Sequence, residues 1–529
     1  MSHINSFLLI KLISNLNIIF VKYPQIKSKY LFRCEKNDPY CIIQNRDKII
    51  IMLFNSLHFL LFFPMILLIT KFTHRKYRIY ITLLASYYFY MSWKIEYIGL
   101  ILLSTIVDYF VSKKICKTNS GRSRKILLIT SIVSNLTILF IFKYYNFFAV
   151  NFNYLLSLIN INLNITKINM VLPVGISFYT FQTLSYTFDV YYRRIEAEKK
   201  FLNFALYVSY WPQLIAGPIE RAGTLLPQLK EKIQFRKDLI EKAVTLIAFG
   251  FFKKLVIADR LAIYVDAIYN APTSATPLAL LIATYFFAIQ IYCDFSGYTD
   301  IARGCSWLIG IDLMENFRQP YFAGSITNFW KRWHISLTSW FTQYLYIPLG
   351  GNKISKNRTY LNLFIVFLVS GLWHGANWTF LAWGFLHGLF LISEKIFKYG
   401  RDEIKKINHF SDLLKIFITF HLVLLTWVFF RSKDIQTSIY IIKKIIFDFK
   451  FTYQTIGWSL IPFTGDNLAI NNFLFSIIAI AFLIFIEWKK YQLDLCKKEF
   501  KSINLSLLFI LLLIFFGEFY KNSFIYFQF

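Results

Sequence analysis

Twelve apolar runs divide this 529-residue chain, at Ile50–Thr70, Ile79–Trp93, Tyr97–Val111, Ile126–Phe142, Leu202–Ile215, Ala243–Ala258, Pro277–Tyr292, Tyr360–Trp373, Thr379–Ile392, Ile416–Phe430, Asn472–Ile486 and Leu505–Phe516. A helix that crosses a bilayer needs roughly 20 mostly apolar residues, because the hydrocarbon layer is about 30 Å thick. The runs therefore predict an all-α, polytopic membrane bundle of about 10–13 transmembrane helices. Composition agrees, with 56% hydrophobic, 20% aromatic and only 16% charged residues. Soluble domains run nearer 45–50% apolar and about 25% charged. The 58 Phe and 34 Tyr exceed what an ordinary core hides, whereas lipid accepts an apolar outer surface. A multidomain soluble enzyme, a disordered chain, a collagen-like repeat and a small disulfide scaffold are all excluded.

The chain carries 58 Lys and Arg against 29 Asp and Glu, a formal charge of +29. In a soluble domain such a balance would point to nucleic acid. Here the basic residues gather in short loops beside apolar runs, at Lys71–Arg78, Lys113–Lys125, Arg193–Lys200 and Lys489–Lys501. That is the pattern of the positive-inside rule. With no stacking platform and no zinc-finger spacing, no nucleic-acid partner is expected. The six cysteines are scattered, without a C-x-x-C pair, so no metal site is expected and small apolar packing accounts for them.

Residues 1–51 differ from the remainder. Lys11 interrupts their one hydrophobic stretch, and Lys22–Lys48 carries charges of both signs without a helical or strand period. They are expected to be a dispensable extension, with translation in the cell starting at Met52; a short helix over Phe7–Val21, on or across the membrane, is the competing expectation. Residues 52–529 form the membrane domain.

Between Leu172 and Gly351 the runs are interrupted by Pro, Gly and polar residues, notably in Leu172–Gln182, Trp211–Pro218 and Tyr292–Asp300. Broken backbone at membrane depth survives only where protein or a water-filled cavity shields it. Intramembrane carboxylates such as Asp294 and Asp300 carry a similar cost unless they face an interior. The expectation is a polar cavity, lined by Asp294, Ser296, Tyr298 and Asp300, and hence chemistry or transport. Tying helices together is the competing role for these four.

Of eight histidines, His3, His74 and His409 lie in the N-terminal extension or in charged loops, and His58 and His421 sit alone on apolar helices. His334 lies in Asn328–Gly350. As a helix, this segment carries an apolar stripe of Trp333, Leu337, Trp340, Phe341 and Tyr344, with His334, Thr338 and Thr342 on a separate polar line. It is too short and polar to span simply, which predicts a re-entrant or interfacial element; an aromatic belt with an interfacial histidine fits equally. His374 lies in Ser370–Thr379, where two glycines and a serine let helices close around one imidazole. Burial there would favour the neutral ring that a general base needs, and a packed structural histidine fits as well. His387, thirteen residues on, falls roughly 220° away around a continuous helix and is expected to be structural. No G-x-S-x-G, G-x-G-x-x-G, Walker A or H-E-x-x-H sequence occurs.

At these residues the chain resembles a known family. Asn328–Gly351 is similar to the signature of the membrane-bound O-acyltransferases, in the branch containing alginate and peptidoglycan O-acetyltransferases and the teichoic-acid D-alanyl transfer protein. The resemblance recurs at Leu172–Tyr192, Trp211–Arg221, Tyr292–Gly304, Glu315–Tyr321 and Ser370–Gly388, and Met52 resembles the family's customary start. It implies a helical bundle around a central tunnel, a cytoplasmic acyl-CoA or acyl-carrier thioester as donor, and no permanently bound cofactor. It implies His374 as the catalytic residue and His334 as a second one, with Asn328, Arg332, Trp333 and Asn377 beside them in the tunnel with the Asp294–Asp300 group. Arg332, with Lys331, would attract donor phosphates or simply anchor the segment. The implied acceptor is an extracytoplasmic polysaccharide, reached directly or through a periplasmic SGNH-type acyltransferase or other polysaccharide-modifying partner, at a bacterial inner membrane. D-alanyl transfer from a carrier protein is the alternative within the family, and a polysaccharide or ion transporter the alternative outside enzymes.

Overall fold

The computed structural model describes residues 52–161, 163–231, 237–399, 409–449, 469–495, 503–518 and 524–525. The expectations for residues 1–51 lie outside these. Among the described residues there are twenty α-helices and no strand. The first half comprises α1 (Leu57–Phe72), α2 (Arg75–Met91), α3 (Ile98–Lys117), α4 (Gly121–Leu139), α5 (Tyr145–Leu158), α6 (Ile176–Tyr191), α7 (Phe201–Ser209), α8 (Trp211–Leu214), α9 (Ala222–Lys230) and α10 (Lys237–Phe251). The second comprises α11 (Asp259–Asn270), α12 (Pro277–Ile309), α13 (Ile326–Trp330), α14 (Ile335–Phe341), α15 (Lys356–His374), α16 (Trp378–Ile396), α17 (Phe410–Arg431), α18 (Ile435–Phe447), α19 (Ala469–Leu495) and α20 (Ile503–Phe516). Helix is the form that satisfies its backbone groups within its own segment, apart from those at its two ends, as lipid demands. Among the described residues, five stretches are long and apolar enough to cross a membrane: Ile95–Lys117, Gly121–Leu158, Pro277–Ile309, Phe410–Arg431 and Asn472–Leu493. The other apolar runs form shorter helices.

Helix α12 is the centre of the bundle. Of its most apolar stretch 72% is buried, against 22–44% in the other four spans. Thr276 caps its first turn by accepting from the Ala279 N–H at 3.1 Å, Pro277 occupies the first helical position, and Gly310 ends it at φ 91°. The expected interruption at Tyr292–Asp300 does not occur, because this segment is part of one continuous 33-residue helix. Its glycine serves packing instead. A Cβ on Gly297 would lie 2.7 Å from the Gly250 carbonyl oxygen, so the two glycines let α10 and α12 touch backbone to backbone. The carboxylates are answered by a seven-residue π-helical segment, Phe252–Ala258, between α10 and α11. Lys254 bridges Asp294 at 2.6 Å and Asp259 at 2.9 Å, and Lys253 pairs with Asp300 at 2.6 Å.

Two further close approaches prepare the site. Gly175, at φ 73°, precedes the buried helix α6, and a side chain there would strike the Leu214 carbonyl of α8 at 2.7 Å. Gly371 of α15 and Gly384 of α16 each face the other helix's backbone, at the carbonyls of Phe380 and Phe367. The basic loops also meet one another. Arg124 donates to the Tyr191 carbonyl at 2.5 Å, Tyr109 to that of Lys199 at 2.6 Å, and Lys230 pairs with Glu198 at 2.9 Å. Several of the chain's cationic loops thus share one end of the bundle, as the positive-inside rule requires of a single face.

Candidate active site

His334 is where the helical reading of Asn328–Gly350 breaks. It sits between α13 and α14 at φ 45° and ψ 53°, a left-handed conformation in which histidine is enriched among side-chain-bearing residues. From there its Nδ1 caps α14, accepting from the Leu337 N–H at 3.4 Å. Asn316 takes the other orphan donors of that turn: its carbonyl accepts from Ile335 N–H at 3.0 Å, and its Oδ1 from Ser336 N–H and Oγ–H at 3.2 and 2.9 Å. The expected stripe of Trp333, Leu337, Trp340, Phe341 and Tyr344 is buried throughout. The expected polar line is corrected. Thr342 is exposed and Thr338 partly so, whereas His334 is wholly buried among Phe178, Phe295 and Trp373.

His374 is the last residue of α15, and the chain then runs extended through Gly375 and Asn377 before α16 begins. Its ring is buried against Trp373, Trp383 and Phe430, at centroid distances of 5.0, 4.9 and 5.3 Å. Trp373 lies 6.0 Å from His334, so a single indole touches both candidate imidazoles. Two residues separated by forty positions of sequence thus meet in one aromatic enclosure.

The 220° separation of His387 from His374 assumed a continuous helix, and the break at Gly375 removes that premise. His387 faces the same enclosure, 4.8 Å from Trp383. Its hydrogen bonds suit a structural role. Trp330 Nε1–H donates to its Nδ1 at 3.2 Å, which leaves the proton on Nε2 to donate to Thr426 Oγ1 at 3.0 Å, and that hydroxyl donates onward to the Val423 carbonyl at 2.7 Å. Both ring nitrogens are occupied by the protein.

The remaining candidates divide. Trp333 is buried against Phe317 and Trp427 next to His334, and Asn328 is buried in α13. Arg332 donates to the Arg318 carbonyl at 3.3 Å and stacks on Tyr491, so it braces the loop before α13. Asn377 caps α16, accepting from Thr379 N–H at 3.1 Å and donating to the Lys433 carbonyl at 2.9 Å. Asp294, Ser296 and Tyr298 are buried on α12, and Asp300 is largely so. Besides Lys254, Asp294 accepts from the Ile525 N–H at 2.7 Å. Next to Tyr298, Lys254, Phe54 and Phe524 lies a cavity of about 20 Å³, the size of one water. Phe295 connects this group to the histidines, touching His334 at 4.7 Å and Phe524 at 5.6 Å.

Three contributors were missed from sequence. Glu394 accepts from the N–H groups of Ile326 and Thr327 and from the Thr327 hydroxyl, fixing the start of α13. Asn316 steadies α14. Lys143 donates to the Trp373 and His374 carbonyls at 2.7 and 3.0 Å. A lysine directly after the apolar run Ile126–Phe142, with more aromatic residues beyond it, was the available signal for the last.

The model of the membrane-bound O-acyltransferase family matches residues 192–431, a stretch holding both histidines. The chain is 35% identical over 393 residues to the peptidoglycan O-acetyltransferase of Helicobacter pylori, covering 69% of this chain and 72% of that one. It is 39% identical over 389 residues to the probable alginate O-acetylase AlgI of Pseudomonas aeruginosa, covering 73% of each. The chain belongs to the membrane-bound O-acyltransferase family. This O-acyltransferase is also 27% identical over 277 residues to the teichoic acid D-alanyltransferase of Bacillus subtilis, covering 50% of this chain and 70% of that one. The resemblance seen in the motifs is thereby established, an enzyme replaces the transporter alternative, and the helical bundle of the O-acyltransferase is embedded in a membrane.

Proposed function

We propose that this O-acyltransferase moves an acyl group, acetyl in the first instance, from a cytoplasmic thioester to a hydroxyl of an extracytoplasmic polysaccharide, directly or through a periplasmic SGNH-type acyltransferase. His374 acts as general base. As it takes the hydroxyl proton, the oxygen bonds to the thioester carbonyl carbon; collapse of the tetrahedral intermediate breaks the C–S bond, and the proton passes to sulfur, leaving an ester and a thiol. General-base help of this kind is worth about 10²–10⁴-fold. His334 serves the developing oxyanion. With Nδ1 accepting from Leu337, its neutral ring carries the proton on Nε2, the nitrogen that can donate.

The observation that carries this reading is that His334 and His374 both pack on Trp373, in one enclosure of buried aromatic rings. The identities of 35–39% to proteins named for O-acetylation favour acetyl. D-alanyl transfer from a carrier protein is the second reading, supported by the weaker relationship at 27%. The shared basic end supports a cytoplasmic face at a bacterial plasma membrane. A cleft of about 640 Å³ lined by Lys76, Arg78, Lys200 and Lys230 opens there, and suits the phosphates of a coenzyme A or phosphopantetheine donor.

The test is to delete the gene, release ester-linked acids from purified peptidoglycan and exopolysaccharide with mild base, and complement with the wild type or His374→Ala. One polymer should lose acetate, and the wild type alone should restore it. Released D-alanine would favour the second reading, and restoration by His374→Ala would remove His374 from the mechanism.

A further inference from the structure

The end of α15 is finished by side chains from another helix. The last four carbonyls of any α-helix lack partners within it. In α15 the Gly371 carbonyl accepts from the Gly375 N–H at 3.3 Å, and the other three are met from the α4–α5 junction. Tyr144 Oη–H donates to Leu372 at 3.0 Å, and Lys143 Nζ donates to both Trp373 and His374. These two residues close the five-residue π-helical segment Phe140–Tyr144. Such insertions recur at functional sites because they shift side chains off the regular helical register. A cation suits the negative end of the α15 dipole. The same ammonium lies 5.8 Å from the centre of the Trp373 ring, the ring that His334 and His374 share.

We propose that Lys143 is a positioning residue for acyl transfer, its ammonium clamping the final two carbonyls of α15 and so holding His374 in its working place against the indole it shares with His334. The proposal rests on His374 as the base. Beyond His374 the chain leaves the helix, so no further helical turn holds this backbone, and Gly375 offers no side chain to wedge it. Lys143 and Tyr144 supply the restraint. Misplacement of a reacting group by about 1 Å can cost 10²-fold in rate, and losing two hydrogen bonds at the base's own carbonyl and its neighbour's permits a shift of that order.

The experiment uses membranes carrying the full chain, supplied with radiolabelled acetyl-CoA, with polymer-bound label measured per mole of folded protein. Lys143→Met should lower kcat about 10- to 100-fold with KM for acetyl-CoA within twofold, and Lys143→Arg should recover part of the rate. Tyr144→Phe, which removes one bond a residue further away, should fall between Lys143→Met and the wild type. The double variant Lys143→Met/His374→Ala should be no slower than His374→Ala alone, because a residue that acts through His374 has nothing left to position. Acyl content of the envelope polymer in complemented cells gives the same ranking without assuming the donor. An unchanged kcat in Lys143→Met, or a loss confined to the amount of folded protein, overturns the proposal while leaving His374 in place. A His374→Ala variant that keeps the rate overturns the base assignment, and this proposal with it.

Discussion

The indole of Trp373 meets the imidazole of His334 edge to face at 6.0 Å between centroids, and its sequence neighbour His374 packs on that indole at 5.0 Å. Neither histidine can shift without disturbing the tryptophan, so the enclosure couples the two halves of the proposed chemistry. His334 also has a structural duty, since it caps α14 from a left-handed backbone.

The two histidines should therefore respond differently to substitution. His374→Ala is expected to lower transfer by at least ~10²-fold with normal membrane accumulation. His334→Ala should lose rate and also stability, because alanine supplies no cap and disfavours positive φ. His334→Asn separates the two effects: asparagine tolerates that conformation and caps, but lacks the Nε2 donor. It should accumulate like the wild type and remain slow. Transfer rates and thermal unfolding in detergent, measured on the three variants, check this; a fast His334→Asn enzyme would reduce His334 to a cap.

His387 should behave as a structural residue. His387→Ala leaves Trp330 Nε1–H and the Thr426 hydroxyl short of a partner, a cost of about 1–3 kcal/mol. The expected result is a lower unfolding temperature and less protein, with kcat per folded molecule within a few-fold of normal. A collapse of kcat at unchanged stability would instead place His387 in the chemistry.

The ion pairs under α12 predict a large folding defect. Lys254→Met removes the ammonium that Asp294 and Asp259 share, and breaking a buried pair from one side costs about 3–5 kcal/mol. Adding Asp294→Asn and Asp259→Asn should recover part of the accumulation. Immunoblots of membrane fractions read both effects. No loss on Lys254→Met would mean that these carboxylates are satisfied without it.

Truncation should be tolerated up to Met52 and not beyond. Met52 and Phe54 are buried, and Phe54 stacks on Tyr298 at 4.3 Å. A chain starting at Met52 is expected to insert and acylate like the full-length form, whereas one starting at Asn55 should lose the packing beneath Tyr298 and accumulate poorly. Equal accumulation of the two shortened chains would remove Phe54 from the core.

The length of the apolar runs determined the all-α membrane bundle, and helical spacing the buried stripe Trp333, Leu337, Trp340, Phe341 and Tyr344, because run length and repeat are properties of local sequence. Motif order singled out His334 and His374. Tertiary structure decided what spacing cannot encode. His334 leaves the polar line because one residue adopts positive φ, and that rotation redirects the side chain into the core. Tyr292–Asp300 stays helical because Gly297 has Gly250 opposite it and Asp294 and Asp300 have Lys254 and Lys253, partners visible only once α10 and α12 are packed. Lys143 and His374 lie 231 positions apart, and their contact exists only because a π-helical segment turns that lysine toward the end of a distant helix.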